Sequence, residues 1–306
     1  MIETLIIGKI KWLHLQSPND EDLMKIQEEY NFHPLDIDDC KSYTQRPKID
    51  IYDDYYFIIL HFPYIDDGRH LIGTKEVKIF WGKDYIITIG RSHWVVRDLY
   101  NYYKQNPSAT ENLIATSSDA ILYNLLNRLI SESYLLVNQV GYEIDKVNRE
   151  LFDIKAERTI EKILIIRRNI IQLNTIFKPQ LRVFHKFESG DIKGFEITED
   201  MEDYWGNILD IYQKMWDMIE DYEELTYSLS KTFDSVQANR TNQTMKVLTL
   251  ISTMLLPITF LTSAYGMNVP LPFKFERNEY AFSILMAMCA LITLILIIYF
   301  RRKKWL

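Results

Sequence analysis

Between Asn242 and Gly266 the sequence repeats one kind of chemistry at steps of three and four residues. The positions are Asn242, Met245, Thr249, Ser252, Leu256, Thr259, Ser263 and Gly266. On a helix they form one stripe, the seam that parallel helices around a common axis turn inward. Its amide and hydroxyl groups exchange hydrogen bonds with water, and none is charged at neutral pH. Lining an aqueous pore is one use of such a stripe, and packing helices through small side chains is the other. Catalytic constellations are missing: there is no Gly-x-Gly-x-x-Gly, no phosphate-loop Gly-Lys-Ser/Thr and no His-Glu-x-x-His. The six histidines are scattered, and His33 before a proline reads as a turn residue. Cys40 and Cys289 are far apart, which gives neither a disulfide framework nor a zinc site. An enzyme is not expected, and no organic substrate is implied.

The stripe lies in an apolar tract. Val247 to Ala264 and Tyr280 to Phe300 contain no charged residue, and each approaches the ~20 residues that cross a bilayer's hydrocarbon. The first tract is rich in hydroxyls, a weakness in a lone lipid-facing helix unless they bond to their own backbone, and natural beside water. Arg301 to Lys304 put four basic residues after the second tract, against Lys274 and Arg277 in the connector, so the positive-inside rule places both termini in the cytoplasm. A net charge of −7 argues against a nucleic-acid surface.

Upstream, β-rich runs cover Leu5 to Leu15, Tyr55 to Ile65, Glu76 to Trp81 and Tyr85 to Ile89, with Gly82-Lys83-Asp84 as a tight hairpin. Helical runs follow from Ser118 to about Phe152 and from Arg158 to Val183. A third starts at Thr198 with acids in its first turn and meets no Gly or Pro between Gly206 and Pro257. Running unbroken into the membrane, it makes a stalk on the order of 75 Å or more at 1.5 Å per residue. No monomer buries so long a helix evenly, so side-by-side assembly is expected. The domain reading is a cytosolic α/β domain with paired helices over 1–197, a stalk over 198–246 and a first, pore-lining span over 247–267. An external loop over 268–279, a second span over 280–300 and a basic tail over 301–306 complete it.

Tyr265-Gly266-Met267-Asn268, at the outer end of the first of two C-terminal spans, resembles the YGMN signature of the CorA magnesium channel family. Met245-Lys246-Val247-Leu248-Thr249, Pro257-Ile258-Thr259-Phe260 and the tail from Tyr299 to Leu306 are similar to that family's helix entry, mid-membrane segment and basic ending. In the N-terminal half His33-Pro34-Leu35, Gln45-Arg46-Pro47-Lys48 and Lys75 to Phe80 match as well. The resemblance implies a homopentamer in the inner membrane with a cytosolic α/β/α funnel, a pore lined by the first span, and Mg2+ as cargo and regulator. Co2+ and Ni2+ are further cargo, and a zinc transporter of the ZntB type is the alternative on the same fold.

In that family the filter is Gly266, Met267 and Asn268, whose amide oxygens accept hydrogen bonds from the ion's water shell. Leu256 and Leu248 fall on its gate positions; Leu248 lies beside the stripe above. The loop Val269 to Phe273 lacks the acidic stretch common in the family, and an acidic regulatory position of well-studied members falls at Lys231. Regulatory candidates are therefore Asp217, Glu220, Asp221, Glu223 and Asp234, in an acidic stretch where Glu199 to Glu224 holds the single basic residue Lys214. Copies of these acids brought together in an oligomer repel unless cations sit between them.

Overall fold

The computed structural model describes residues 2–42, 45–66, 68, 70–90, 93–106, 117–151, 156–195, 199–267, 280–303 and 305. The chain divides into two compact units, Met1–Ser230 and Lys231–Leu306.

The first unit opens with β1 (Ile2–Ile7) and β2 (Ile10–Leu15), then α1 (Asp20–Tyr30), α2 (Pro34–Lys41) and β3 (Lys48–Ile51). The strands β4 (Tyr55–Asp66), β5 (Leu71–Gly82) and β6 (Tyr85–Ile89) lead to α3 (Trp94–Gln105), α4 (Ser118–Glu150) and α5 (Ala156–Glu188). The six strands form one sheet in the order β1-β2-β6-β5-β4-β3, antiparallel except where β2 pairs with β6. The single β run expected from Leu5 to Leu15 is corrected to a hairpin: Ile7 pairs with Ile10 around Gly8, whose φ of +60° suits a primed two-residue turn. The helical runs expected to end near Phe152 and Val183 end at Glu150 and Glu188, and the second passes through Pro179.

Alternation along the strands makes two cores. Leu13, Leu15, Phe57, Ile59, Phe80, Ile87 and Ile89 pack with Leu23, Ile26, Phe32 and Ile37 of the α1–α2 segment. Their neighbours in sequence, among them Trp12, Ile58, Leu60, Ile79, Trp81 and Ile86, are also buried, on the opposite face. Helices α4 and α5 contact that sheet, so the layers are α/β/α. The segments that carried the resemblance in this half are folding devices. His33 caps α2, its Nδ1 accepting from the Leu35 N–H at 3.3 Å, and Pro34 follows where a missing N–H costs nothing. Lys48 bridges Asp39 at 2.7 Å, and the Gln45 N–H donates to Glu76 at 3.0 Å.

The hairpin β4–β5 is longer than its neighbours β3 and β6, which exposes backbone on both outer edges. Two amides of α5 cover it. Gln180 accepts from the His61 N–H at 2.7 Å and donates to the His61 C=O at 2.9 Å. Asn169 accepts from the Ile72 N–H at 2.9 Å and donates to the His70 C=O at 3.0 Å. An open edge is thus closed by side chains.

The long helix α6 (Glu199–Tyr265) is unbroken for 67 residues and retains Pro257 inside it. Thr198, read as its start, lies outside the described residues. In the first unit Gly141 of α4 lets α6 approach: a Cβ there would collide with the Tyr222 hydroxyl. The second unit holds the end of α6 and α7 (Ala281–Arg302).

Candidate functional site

In the second unit α6 has two unlike faces. Lys246, Leu250, Thr253, Pro257, Leu261 and Ala264, at helical spacing, are among the less exposed ones, with Met254, Ile258 and Tyr265 beside them. On α7 the corresponding stripe is Leu285, Cys289, Ile292, Leu296 and Phe300. The Lys246 ammonium lies 5.9 Å from the Trp305 ring, which stacks on Phe300, so α7 returns to the level where the apolar part of α6 starts. Cys289, 8% exposed, belongs to this packing stripe. Sequence reading passed over this stripe, although it is the complement of the one first identified.

The other face carries Asn242, Met245, Thr249, Ser252, Leu256, Thr259, Ser263 and Gly266, every one exposed, as is Leu248 beside them. Leu256 is 69% and Phe260 70% exposed. Both α6 and α7 contain stretches long and apolar enough to cross a membrane, and almost none of either stretch is buried within the chain. A face of that kind needs lipid or further copies of the helix against it.

Two of the four hydroxyls on the exposed stripe, those of Thr249 and Thr259, are tied to the helix backbone. Thr249 donates to the Met245 carbonyl at 2.8 Å and Thr259 to the Leu255 carbonyl at 2.9 Å; off the stripe, Thr262 donates to the Ile258 carbonyl at 3.0 Å. With its proton committed to the backbone, each can act outward only as an acceptor, through the lone pairs of its oxygen. A hydrated cation presents water hydrogens, so an acceptor is what such a surface must supply. The helix ends at Tyr265, and the Gly266 N–H reaches the Thr262 carbonyl at 3.0 Å and the Ser263 carbonyl at 3.2 Å. A Cβ at Gly266 would stand 3.3 Å from the Thr262 carbonyl oxygen, a tight approach that glycine avoids. The last carbonyls give this end a partial negative charge without a titratable group. Met267 is exposed; Asn268, the loop to Glu279 with Lys274 and Arg277, and Lys304 lie outside the described residues.

The regulatory candidates are exposed, and among the described residues no three His, Cys, Asp or Glu of one chain come together as a metal site. Asp217 accepts from Gln213 at 3.0 Å and Glu223 from Asn174 of α5 at 2.6 Å. Glu220, Asp221 and Asp234 point to solvent from the same helix.

Comparison with known proteins bears on the family and the fold. The family model described as "CorA-like Mg2+ transporter protein" matches residues 8–302. The cobalt/magnesium transport protein CorA of Thermotoga maritima is 24% identical over 300 residues, spanning 96% of this chain and 83% of the relative. Among solved structures, the complete CorA magnesium transporter of Methanocaldococcus jannaschii superposes with a TM-score of 0.81 at 21% identity, over 97% of this chain and 92% of that one. The cytoplasmic domain of ZntB from Vibrio parahaemolyticus has a TM-score of 0.61 at 13% identity, over 77% of this chain and 90% of that one.

Proposed function

The chain belongs to the family of CorA-like Mg2+ transporter proteins, and on that premise we propose that five copies assemble around the exposed stripe of α6 and conduct hydrated Mg2+, with Co2+ and Ni2+ as further cargo. The observation that carries this is the stripe itself: uncharged, acceptor-bearing at Thr249 and Thr259, and turned away from α7. Mg2+ gives up its water reluctantly, so an uncharged path that hydrogen-bonds the hydrated ion passes it without the delay of stripping and refilling its shell. In this reading the Asn268 amides at the outer mouth, supported by Gly266 and Met267, select the hydrated ion. Met245 and Leu256 form apolar rings that close the pore by dewetting, with Leu248 beside them. Asn242 is the inner polar ring. The pore spans the cytoplasmic membrane, with both termini on the cytoplasmic side.

Control by internal Mg2+ is part of the same proposal. Asp217, Glu220, Asp221, Glu223 and Asp234 are exposed on α6, and cations held between copies favour the closed arrangement only by binding it more tightly than the open one.

Uptake of Mg2+ into vesicles loaded with an indicator dye, with the purified chain reconstituted, tests the reading. The wild type transports, and Asn268→Ala assembles yet loses most of the flux. Wild-type flux in Asn268→Ala removes the filter from the mechanism, and no divalent flux from the wild type removes the function. Preference for Zn2+ over Mg2+ in the same assay would favour the zinc transporter on this fold.

A further inference from the structure

A cleft of about 930 Å³ opens in the first unit between β3 and α5. Five cations line it, Arg46, Lys48, Lys178, Arg182 and Lys186, against two carboxylates, Asp50 and Glu223. The chain as a whole carries −7, so this local positive excess runs against its composition. Both carboxylates are committed, Asp50 to Lys48 and Glu223 to the Asn174 amide at 2.6 Å. Lys48 is also committed, held between Asp39 and Asp50. The other four cations form no ion pair with a described carboxylate; Lys178 lies 5.8 Å from the Trp216 ring.

Three of them stand one turn apart on α5, at i, i+4 and i+8. Like charges at that spacing destabilise a helix. Lys186 sits in the last turn of α5, where the helix dipole favours a cation. That effect fades within the turn and leaves Arg182 and Lys178 unexplained. The row covers about 12 Å at 1.5 Å per residue, longer than one tetrahedral anion. Arg46 faces it from the segment before β3 and offers a planar fork suited to phosphate oxygens.

We infer that this cleft binds a linear polyphosphate group, either inorganic or carried by a nucleotide. Lys178, Arg182 and Lys186 track successive phosphates and Arg46 closes over them from the other wall. The inference does not rest on the transport reading, since it concerns a different ligand and residues away from the exposed stripe; Glu223, which lines the cleft, is the one residue it shares with the proposed Mg2+ control.

The test is equilibrium binding to the full chain in detergent, in Mg2+-free buffer at low salt. Inorganic tripolyphosphate and ATP are titrated separately, and anionic lipid vesicles form a third arm with the chain in nanodiscs. Both soluble anions should bind saturably, and Arg182→Glu with Lys186→Glu should weaken them by more than about tenfold, the loss of two charge-assisted contacts. Arg158→Glu with Arg167→Glu makes the same change of net charge on exposed positions of α5 outside the cleft, and should leave affinity within about twofold. Equal weakening by both pairs, or no saturable binding at millimolar tripolyphosphate, overturns the site. Vesicle binding that the first pair abolishes, with no soluble anion bound, overturns the soluble ligand. ATP bound more tightly than tripolyphosphate identifies a nucleotide, and equal affinities identify the polyphosphate alone.

Discussion

Replacing Gln180 by leucine should loosen the first unit at a defined place. Gln180 is fully buried, and its amide serves the His61 N–H and C=O, the Ile176 carbonyl and the Tyr212 hydroxyl. Leucine keeps the volume and removes every polar atom. The Tyr212 hydroxyl keeps the Phe177 carbonyl at 3.2 Å, and the Ile176 carbonyl keeps its helical partner, so the loss concentrates on His61. Two orphaned backbone groups at roughly 1–3 kcal/mol each give about 2–6 kcal/mol. His61 is only half-buried, so some water reaches it and about 3 kcal/mol is the working figure. Where exchange proceeds through opening of this edge, that figure corresponds to roughly a hundredfold faster amide exchange in β4. Hydrogen exchange read by mass spectrometry on the full chain in detergent resolves the β4 peptides from those of α7, which serve as the internal reference. Gln180→Glu should do worse at neutral pH, because a carboxylate accepts from the His61 N–H but cannot donate to its carbonyl. Unchanged β4 protection and an unchanged thermal midpoint in Gln180→Leu would refute the edge-closing role.

Three further outcomes are expected. Burial holds His93 below the ordinary histidine pKa while its ring caps α3 and bonds the Pro63 carbonyl at 3.0 Å; His14 is shifted the same way, also chiefly by burial. The unfolded chain therefore takes up more protons, so stability is complete above about pH 6.5 and falls as the pH drops through that value. Asp36, raised chiefly by burial, acts with the opposite sign nearer the carboxylate range. The thermal midpoint should drop between pH 7.5 and 5.5, less steeply in His93→Asn, which keeps a capping acceptor; identical profiles would dismiss His93 as a contributor. Thr259→Val removes one outward acceptor per copy and should cut Mg2+ flux by about fivefold or more at ~1 kcal/mol per lost bond, with Thr259→Ser near wild type; equal flux in all three takes Thr259 off the ion path. Changing Asp217, Glu220, Asp221 and Glu223 together to their amides should relieve inhibition by internal Mg2+ without altering selectivity, and a wild-type conductance indifferent to millimolar internal Mg2+ would end that idea.

What could be read in the chain without its fold was whatever is periodic and local. The two apolar tracts, the long helix with no Gly or Pro between Gly206 and Pro257, the strand Tyr85–Ile89 and the common face of Asn242 to Gly266 all follow from spacing along one element. Helical geometry alone puts those stripe residues side by side, whatever else the chain does. Short or polar elements were not readable. The four residues of β3 carry two charges, and the break at Gly8 depends on β1 and β2 pairing with each other. Least legible were partnerships across the sequence. Gln180 meets His61 across 119 positions and Asn169 meets Ile72 across 97, because overhanging strands leave backbone groups that only a neighbouring helix can satisfy. The basic cleft is of the same kind. Arg46 belongs to a loop and Arg182 to a helix, and only the packing of α5 beside β3 turns separate surface charges into one site. Local pattern determined the elements and the faces they present; tertiary structure decided which of those faces meet, because burial and hydrogen-bond satisfaction are properties of the packed chain and not of any segment.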